Sequence, residues 1–229
     1  ISVGKTNFAI EVAKYFKTEI ISCDSRQIYK ELNIGVARPS KQELSEVKHH
    51  FIASQSIHDP YDAGLYNQDV NSLLKELFKK HDIVIMTGGT GLYIKAATEG
   101  LDNLHPKNDQ LRQQLNFILE SEGIDALINI AKSMDIDGDK VNLSNPQRII
   151  RAIEIKQGKP DDAKEIPPND FYDTSYYYLN RDRQELYNRI NKRVDQMLRD
   201  GFEAEAKSLL PNRNLNALNT VGYKEFFAF

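Results

Sequence analysis

VNSLLKELFKKHDIVIMTGGTG, Val70 to Gly91, is the stretch from which the fold is read. Val70, Leu73, Leu74, Leu77 and Phe78 recur at the spacing of one helical face. In DIVIMT, Asp82 to Thr87, the apolar residues Ile83 to Met86 run together, which suits a strand covered on both sides. TGGTG, Thr87 to Gly91, then places three glycines in five residues where the strand ends. The same order occurs upstream. Ala9, Val12, Ala13 and Phe16 mark a helix over 6–17, and EIISC, Glu19 to Cys23, reads as a second buried strand. Helices alternating with continuous apolar strands predict a parallel sheet wrapped by helices.

After EGL, Glu99 to Leu101, the pattern changes. Leu111, Leu115, Ile118 and Leu119, then Leu127, Ile128 and Ala131, predict helices with no strand between them. A third helix starts at SNPQRIIRAIEI, with Ser144 or Asn145 as cap, Pro146 in its first turn and Gly158 as its stop. The core is expected to resume with an aromatic strand, SYYYL at Ser175 to Leu179. A long helix follows, with Leu186, Ile190, Val194, Met197 and Leu198 on its apolar side and Gly201 behind it. Between them DDAKEIPPND, Asp161 to Asp170, reads as a loop. The expected organisation is a core over 1–105, a helical insertion over 106–159 and the rest of the core over 160–229. Position 1 falls inside a motif and Phe229 ends the largely apolar run EFFAF with no stop signal, so both ends read as cut.

Of 229 residues, 40% are hydrophobic and 28% charged, the make-up of a soluble globular protein. Net charge is −3, so a polyanion has to be met by a local patch rather than by a global field. A single cysteine excludes an intramolecular disulfide and suits a reducing compartment. The longest apolar runs fall well short of the roughly 20 residues that span a bilayer. A cytoplasmic protein, free of the membrane, is expected.

Four groups of residues have chemical potential. GKT, Gly4 to Thr6, stands ahead of a helix: backbone N–H groups and a helix N-terminus suit an anion, Lys5 adds charge, and the Thr6 hydroxyl can hold Mg²⁺. The tripeptide also reads as a plain helix start. TGGTG lies at the sheet edge where parallel α/β folds place ligands, with Thr90 supplying a hydroxyl, or it is simply a strand-to-helix turn. Asp24, at the end of the other strand, suits a general base, a magnesium ligand or a cap. RQELYNRINKRVDQMLRDG carries Arg183, Arg189, Lys192, Arg193 and Arg199. Arg189 and Arg193 share a face, whereas Arg183 lies about 120° round a continuous helix. Such a helix is an anion site or a solvated cationic face. The adjacent His49 and His50 lack a spaced acidic or cysteine partner for zinc, and Cys23 reads as packing.

Six segments in order, GKT, EIISCDSRQIYKELNIGVARP, GGTGLYIKAATEGL, NPQRIIRAIEI, RINKRVDQMLRDGFEAE and VGYKE, resemble the tRNA dimethylallyltransferase (tRNA isopentenyltransferase) family over essentially the whole chain. The resemblance implies an α/β fold, a P-loop NTPase/kinase-like parallel sheet core with a small all-helical insertion domain. It implies transfer of a dimethylallyl group from dimethylallyl diphosphate to N6 of the adenosine immediately 3′ of the anticodon, in tRNAs reading codons that begin with U.

On the same resemblance Asp24 matches the general base, with Thr90 aligning amine and diphosphate and Arg189 stabilising charge in the transition state. Gly4, Lys5, Thr6, Arg183 and Arg189 match the diphosphate site, and Thr6 the Mg²⁺ ligand. Ser25, Gln27, Arg38, Gln147 and Arg148 are candidates for contact with the anticodon stem-loop of the tRNA, and a monomer is expected. The chain departs from the family pattern at Ile1 to Val3, which is not Gly-Pro-Thr, and at Val36 and Arg38, where threonine and lysine are usual. The stretch after Gly158 is also shorter than the pattern. Three other readings compete: a prenyltransferase acting on free AMP or ATP, a small-molecule kinase using the same loop, and a non-catalytic RNA-binding module.

Overall fold

The computed structural model describes residues 2–104, 106–158, 164–167 and 170–228, with only the backbone at 102–104 and 164–166. In chain order the elements are α1 (Lys5–Phe16), β1 (Ile20–Ser22), α2 (Lys41–Glu46), β2 (His49–His50), α3 (Ala63–Leu77), β3 (Ile85–Thr87), α4 (Gly91–Thr98), β4 (Leu101–Leu104), α5 (Asp109–Glu122), α6 (Ile124–Ser133), α7 (Pro146–Gln157), β5 (Lys164–Ile166), α8 (Arg183–Arg199), α9 (Phe202–Leu209) and α10 (Tyr223–Phe227). They form two compact units, Ile1–Glu99 with Pro168–Phe229, and Gly100–Pro167. The boundaries expected at 105/106 and 159/160 fall on or beside positions outside the described residues.

The first unit is built on a parallel sheet of order β2-β1-β3. Ile20, Ile21 and Ser22 of β1 pair with Ile85, Met86 and Thr87 on one side, and Ile20 and Ile21 with His49 and His50 on the other. All three β1 residues are buried, as its unbroken apolar run requires, whereas β3 is half-buried at the edge of this sheet. Ala9, Ile10 and Ala13 of α1 pack with Ile20 and Val47. Asp62 caps α3 by accepting the N–H groups of Gly64 and Leu65 at 3.0 and 3.1 Å. Tyr66, Val70 and Leu74 of that helix are buried. A second cluster joins Ile28 and Leu32 to Phe202, Leu209, Leu218 and Tyr223, so the chain after β1 is fastened to α9 and α10.

SYYYL is not a strand. Residues 174–182 follow no ladder, and Tyr177 and Tyr178 are 82% and 89% exposed. Aromatic β propensity makes a strand only where a neighbouring edge supplies hydrogen-bond partners, and no described strand pairs with this segment. The long helix over 183–199 is present, yet it buries none of its residues, and Val194 and Leu198 remain about half exposed.

The second unit has α5, α6 and α7 around Leu115, Leu127, Ala131, Ile149, Ile150 and Ile153. Asn145 caps α7, its side chain accepting the Arg148 N–H at 3.2 Å. Glu154, 3% exposed, accepts from Arg112 Nε and Nη2 at 2.8 Å each, from the Asn108 N–H at 2.7 Å and from Arg151. These donors outweigh the cost of burial and hold its carboxyl at about 2. An antiparallel ribbon of β4 and β5 flanks the helices, Leu101 pairing with Ile166 and Leu104 with Lys164. Part of the expected loop over Asp161 to Asp170 is therefore a strand, because β4 supplies its ladder.

Candidate active site

The site grows from the parallel register of β1 and β3. Ser22 stands opposite Thr87, so the residues that follow leave the sheet side by side. The Cys23 N–H donates to Thr87 O at 2.8 Å and the Thr90 N–H to Cys23 O at 3.0 Å. Gly88 is required there: a Cβ would lie 2.5 Å from Cys23 O and 2.8 Å from its Sγ. Cys23 itself is no nucleophile. Burial, with the nearby Asp24 charge, pushes its thiol up to about 12.

Thr90 and Ser25 lock the two strand ends together. Thr90 Oγ1 accepts the Ser25 N–H at 2.9 Å and donates to Ser25 Oγ at 3.1 Å. Asp24, half-buried, accepts the N–H groups of Arg26 and Gln27 on Oδ1 at 2.9 and 3.2 Å. The helix cap weighed from sequence is instead the acceptor of a turn, since no helix follows before α2, and it uses one oxygen. Oδ2 takes no hydrogen bond among the described residues.

Gln27 and Arg38 turn inward. Gln27 Nε2 donates to Val36 O and Ala37 O at 3.1 and 3.0 Å. Arg38 Nη2 donates to Tyr29 O and Lys30 O at 2.8 Å each, and to Leu32 O. At position 36 this bond uses the backbone carbonyl and is independent of the side chain.

Lys5 and Thr6 open α1 behind Gly4, whose φ is 98°. Arginines converge on this loop tail. Arg189 Nε donates to Ser2 O at 2.7 Å, Arg181 Nε to Val3 O at 2.7 Å, and Arg193 Nη1 to Ser2 Oγ at 3.4 Å. A Cβ on Gly4 would meet Arg181 Nη2 at 3.4 Å and Arg189 Nη2 at 3.9 Å. Burial lowers the pKa of Arg193, while the Asp24 charge acts against that shift, which links the arginine face to the carboxylate. Arg183 is not brought here. It lies over the Tyr187 ring, 5.4 Å from the centroid, and donates to the Tyr187 hydroxyl at 3.0 and 3.1 Å.

Arg181 and Arg193 were absent from the residues assigned to the site from sequence. Arg193 was visible as the four-residue neighbour of Arg189 on one face. Arg181 precedes the helix and carried no signal, since only the tertiary path of 174–182 brings it to the loop. Gln147 and Arg148 are exposed in the first turn of α7, in the other unit. Of the two histidines, His49 Nδ1 bonds Val47 O at 2.8 Å and His50 pairs with Glu19. Among the described residues no group of His, Cys, Asp and Glu is arranged to hold a metal, and no helix is long and apolar enough to cross a membrane.

A family profile described as IPP transferase matches residues 27–229. A tRNA dimethylallyltransferase of Christiangramia forsetii is 47% identical, with 100% of this chain and 77% of that protein covered. The chain belongs to the IPP transferase family. A tRNA dimethylallyltransferase of Cytophaga hutchinsonii is 43% identical over the same shares, 100% and 77%. Among solved structures, the tRNA isopentenylpyrophosphate transferase of Bacillus halodurans matches with a TM-score of 0.62 and 29% identity, covering 98% of this chain and 73% of that one. A eukaryotic dimethylallyltransferase acting on tRNA matches with a TM-score of 0.67 and 26% identity, covering 93% and 55%. The IPP transferase profile begins after Asp24, whereas the relatives' matches extend across Gly4 to Thr6 and both strand ends.

Proposed function

We propose that this member of the family transfers the dimethylallyl group of dimethylallyl diphosphate to N6 of the adenosine immediately 3′ of the anticodon, in tRNAs reading codons that begin with U. Diphosphate is released. The observation that carries the reading is the junction of the Asp24 turn with Thr90, beside a phosphate-loop tail ringed by Arg181, Arg189 and Arg193. The names of the relatives favour a tRNA acceptor over free AMP or ATP.

In the step, the bond from N6 to the allylic carbon forms as the carbon–oxygen bond to diphosphate breaks, and the N6 proton passes to Asp24. An aromatic amine is a weak nucleophile, so alignment contributes more than proton removal. The Thr90 hydroxyl, held by Ser25, aligns amine and diphosphate. Gly4, Lys5, Thr6 and the arginines face charge that grows on the leaving group. Mg²⁺ suits this donor set: it typically takes one or two protein ligands and completes its shell with phosphate oxygens and water, and Thr6 offers one hydroxyl. When bound it neutralises diphosphate charge.

The base has to leave the anticodon loop stack to reach a strand-end crevice. Ser25, Gln147 and Arg148 are assigned contacts with the RNA. Gln27 and Arg38 contribute by shaping the turn, since their donors are engaged with backbone carbonyls. The protein acts as a cytosolic monomer, its lone cysteine kept buried.

The test is transfer of label from dimethylallyl diphosphate, with Mg²⁺, to unmodified tRNA, AMP and ATP in parallel, followed by nucleoside analysis. Label on the adenosine beside the anticodon is expected. Label on AMP or ATP alone, or on no acceptor, overturns the proposal.

A further inference from the structure

We infer that Glu205 is a positioning residue for the transfer, its carboxylate setting the loop that orients the Asp24 turn. The inference rests on the reading of Asp24 as the base. Glu205 lies on α9, 171 residues beyond the loop it holds. Its Oε2 accepts the Ile34 N–H at 2.9 Å, and its Oε1 those of Gly35 at 3.1 Å and Asn33 at 3.4 Å. Three successive N–H groups make a nest for an anion, and here the anion comes from the chain itself. The Tyr223 hydroxyl donates a further bond to Oε1. Burial and that bond raise the Tyr223 pKa, so the phenol keeps the proton it donates.

The fit around the nest is close. A Cβ at Gly35 would come within 2.7 Å of Phe202 Cζ and Tyr223 Cε2. Phe202 and Glu205 are three apart on one helix, so a single face presents ring and carboxylate to the same loop. Ala37 in that loop has φ 48°, in the left-handed region that alanine does not favour. The loop's shape is therefore imposed by its partners.

From the loop the restraint reaches the site in two steps. Val36 O and Ala37 O hold the Gln27 amide, and the N–H groups of Gln27 and Arg26 hold Asp24 Oδ1. Arg26 adds a second tie, donating to Asn216 O at 2.7 Å and Asn219 O at 3.3 Å in the segment that leads to Tyr223. With Oδ1 fixed in the turn, the direction of Oδ2 follows the turn. A base works only within hydrogen-bond reach of its proton. A looser loop thus lowers turnover, while diphosphate binding at Gly4 to Thr6 and the arginines is left intact.

In the full chain, Glu205→Gln is expected to lower kcat roughly 10- to 100-fold and to leave KM for dimethylallyl diphosphate within about 2-fold. Leu209→Ala removes a buried side chain of the same helix and cluster that makes no hydrogen bond to the loop. It serves as the stability control, with kcat within about 2-fold at a temperature where both variants are folded. Amide hydrogen exchange gives a second readout that needs no turnover. In Glu205→Gln the amides of Asn33, Ile34 and Gly35 should exchange faster, and with them those of Arg26 and Gln27. If that variant does not fold, Tyr223→Phe, which removes only the fourth bond, is measured for the same spread of exchange. An unchanged kcat, equal losses in Glu205→Gln and Leu209→Ala, or faster exchange at 33–35 that stops short of 26 and 27 each overturn the positioning role. If the unaltered chain transfers nothing to tRNA, the functional reading fails, while the exchange result still decides whether Glu205 orders the Asp24 turn.

Discussion

Thr90 holds Ser25 by two hydrogen bonds, accepting its N–H at 2.9 Å and donating to its Oγ at 3.1 Å, although 65 residues separate them. The clasp exists because β1 and β3 are parallel neighbours whose ends coincide at Ser22 and Thr87. Asp24 stands one residue from it. Thr90→Val keeps the shape and loses both bonds, so turnover on tRNA should fall about 10- to 100-fold. Thr90→Ser should retain most of it. Steady-state kinetics of the two variants side by side make the check, and equal rates would remove the hydroxyl from the chemistry.

Asp24→Asn preserves an oxygen able to accept the Arg26 and Gln27 N–H groups, so the turn survives while the carboxylate proposed as the base is lost. Binding of tRNA should persist and turnover should drop by roughly 100-fold or more. A gel-shift titration with a single-turnover assay separates the two effects. Undiminished turnover would eliminate Asp24 as the base.

The arginines divide by position rather than by count. Arg189 touches the loop tail at Ser2, and its replacement by alanine should lower kcat/KM for dimethylallyl diphosphate by about 100-fold. Arg183 rests on Tyr187, and Arg183→Ala should change it by no more than about 2-fold. The reverse ranking in the same assay would contradict the placement of these side chains.

Gly88→Ala tests the close passage of the strand ends. Its Cβ would meet Cys23 O at 2.5 Å, and the clash involves backbone that has no room to rotate away. A loss of roughly 1–3 kcal/mol is expected from denaturant titration.

Glu154 predicts an acid limb for the second unit. Its folded pKa is about 2, below the ordinary 4.5, so its contribution is fully present above about pH 4.5 and fades as pH falls towards 2. Glu154→Gln should therefore be less stable than the unaltered protein at pH 6, by roughly 3 kcal/mol. That gap should narrow steadily between pH 4.5 and 2 in thermal unfolding. A gap independent of pH would show that packing, not charge, makes the difference.

Much of the architecture was readable because it depends on local order. Helical spacing marked α1, α3 and the insertion helices, unbroken apolar runs marked β1 and β3, and Asn145 with Pro146 marked the start of α7. The short α2 is legible too: Ser40 and Glu43 form a capping box, a four-residue signal directly after Pro39. The positions of Asp24 and Thr90 at strand ends were local facts too, and their meeting followed once the sheet was parallel.

Other features have no local cause. SYYYL has the composition of a strand and lies unpaired, whereas KEI at Lys164 to Ile166, inside a polar stretch, is a strand because β4 runs beside it. Helical phase placed Arg189 with Arg193 and could not place Arg181, which reaches the loop through the fold of the segment before α8. Glu205 carries no local signal, and its role depends on α9 docking on the loop at Asn33 to Gly35. The sequence by itself determined what each segment can bury and which groups stand at its ends, because periodicity and capping act within a few residues. Only the tertiary structure decided which backbone groups find partners, since hydrogen bonds and ion pairs depend on distances between segments that the order of residues does not contain.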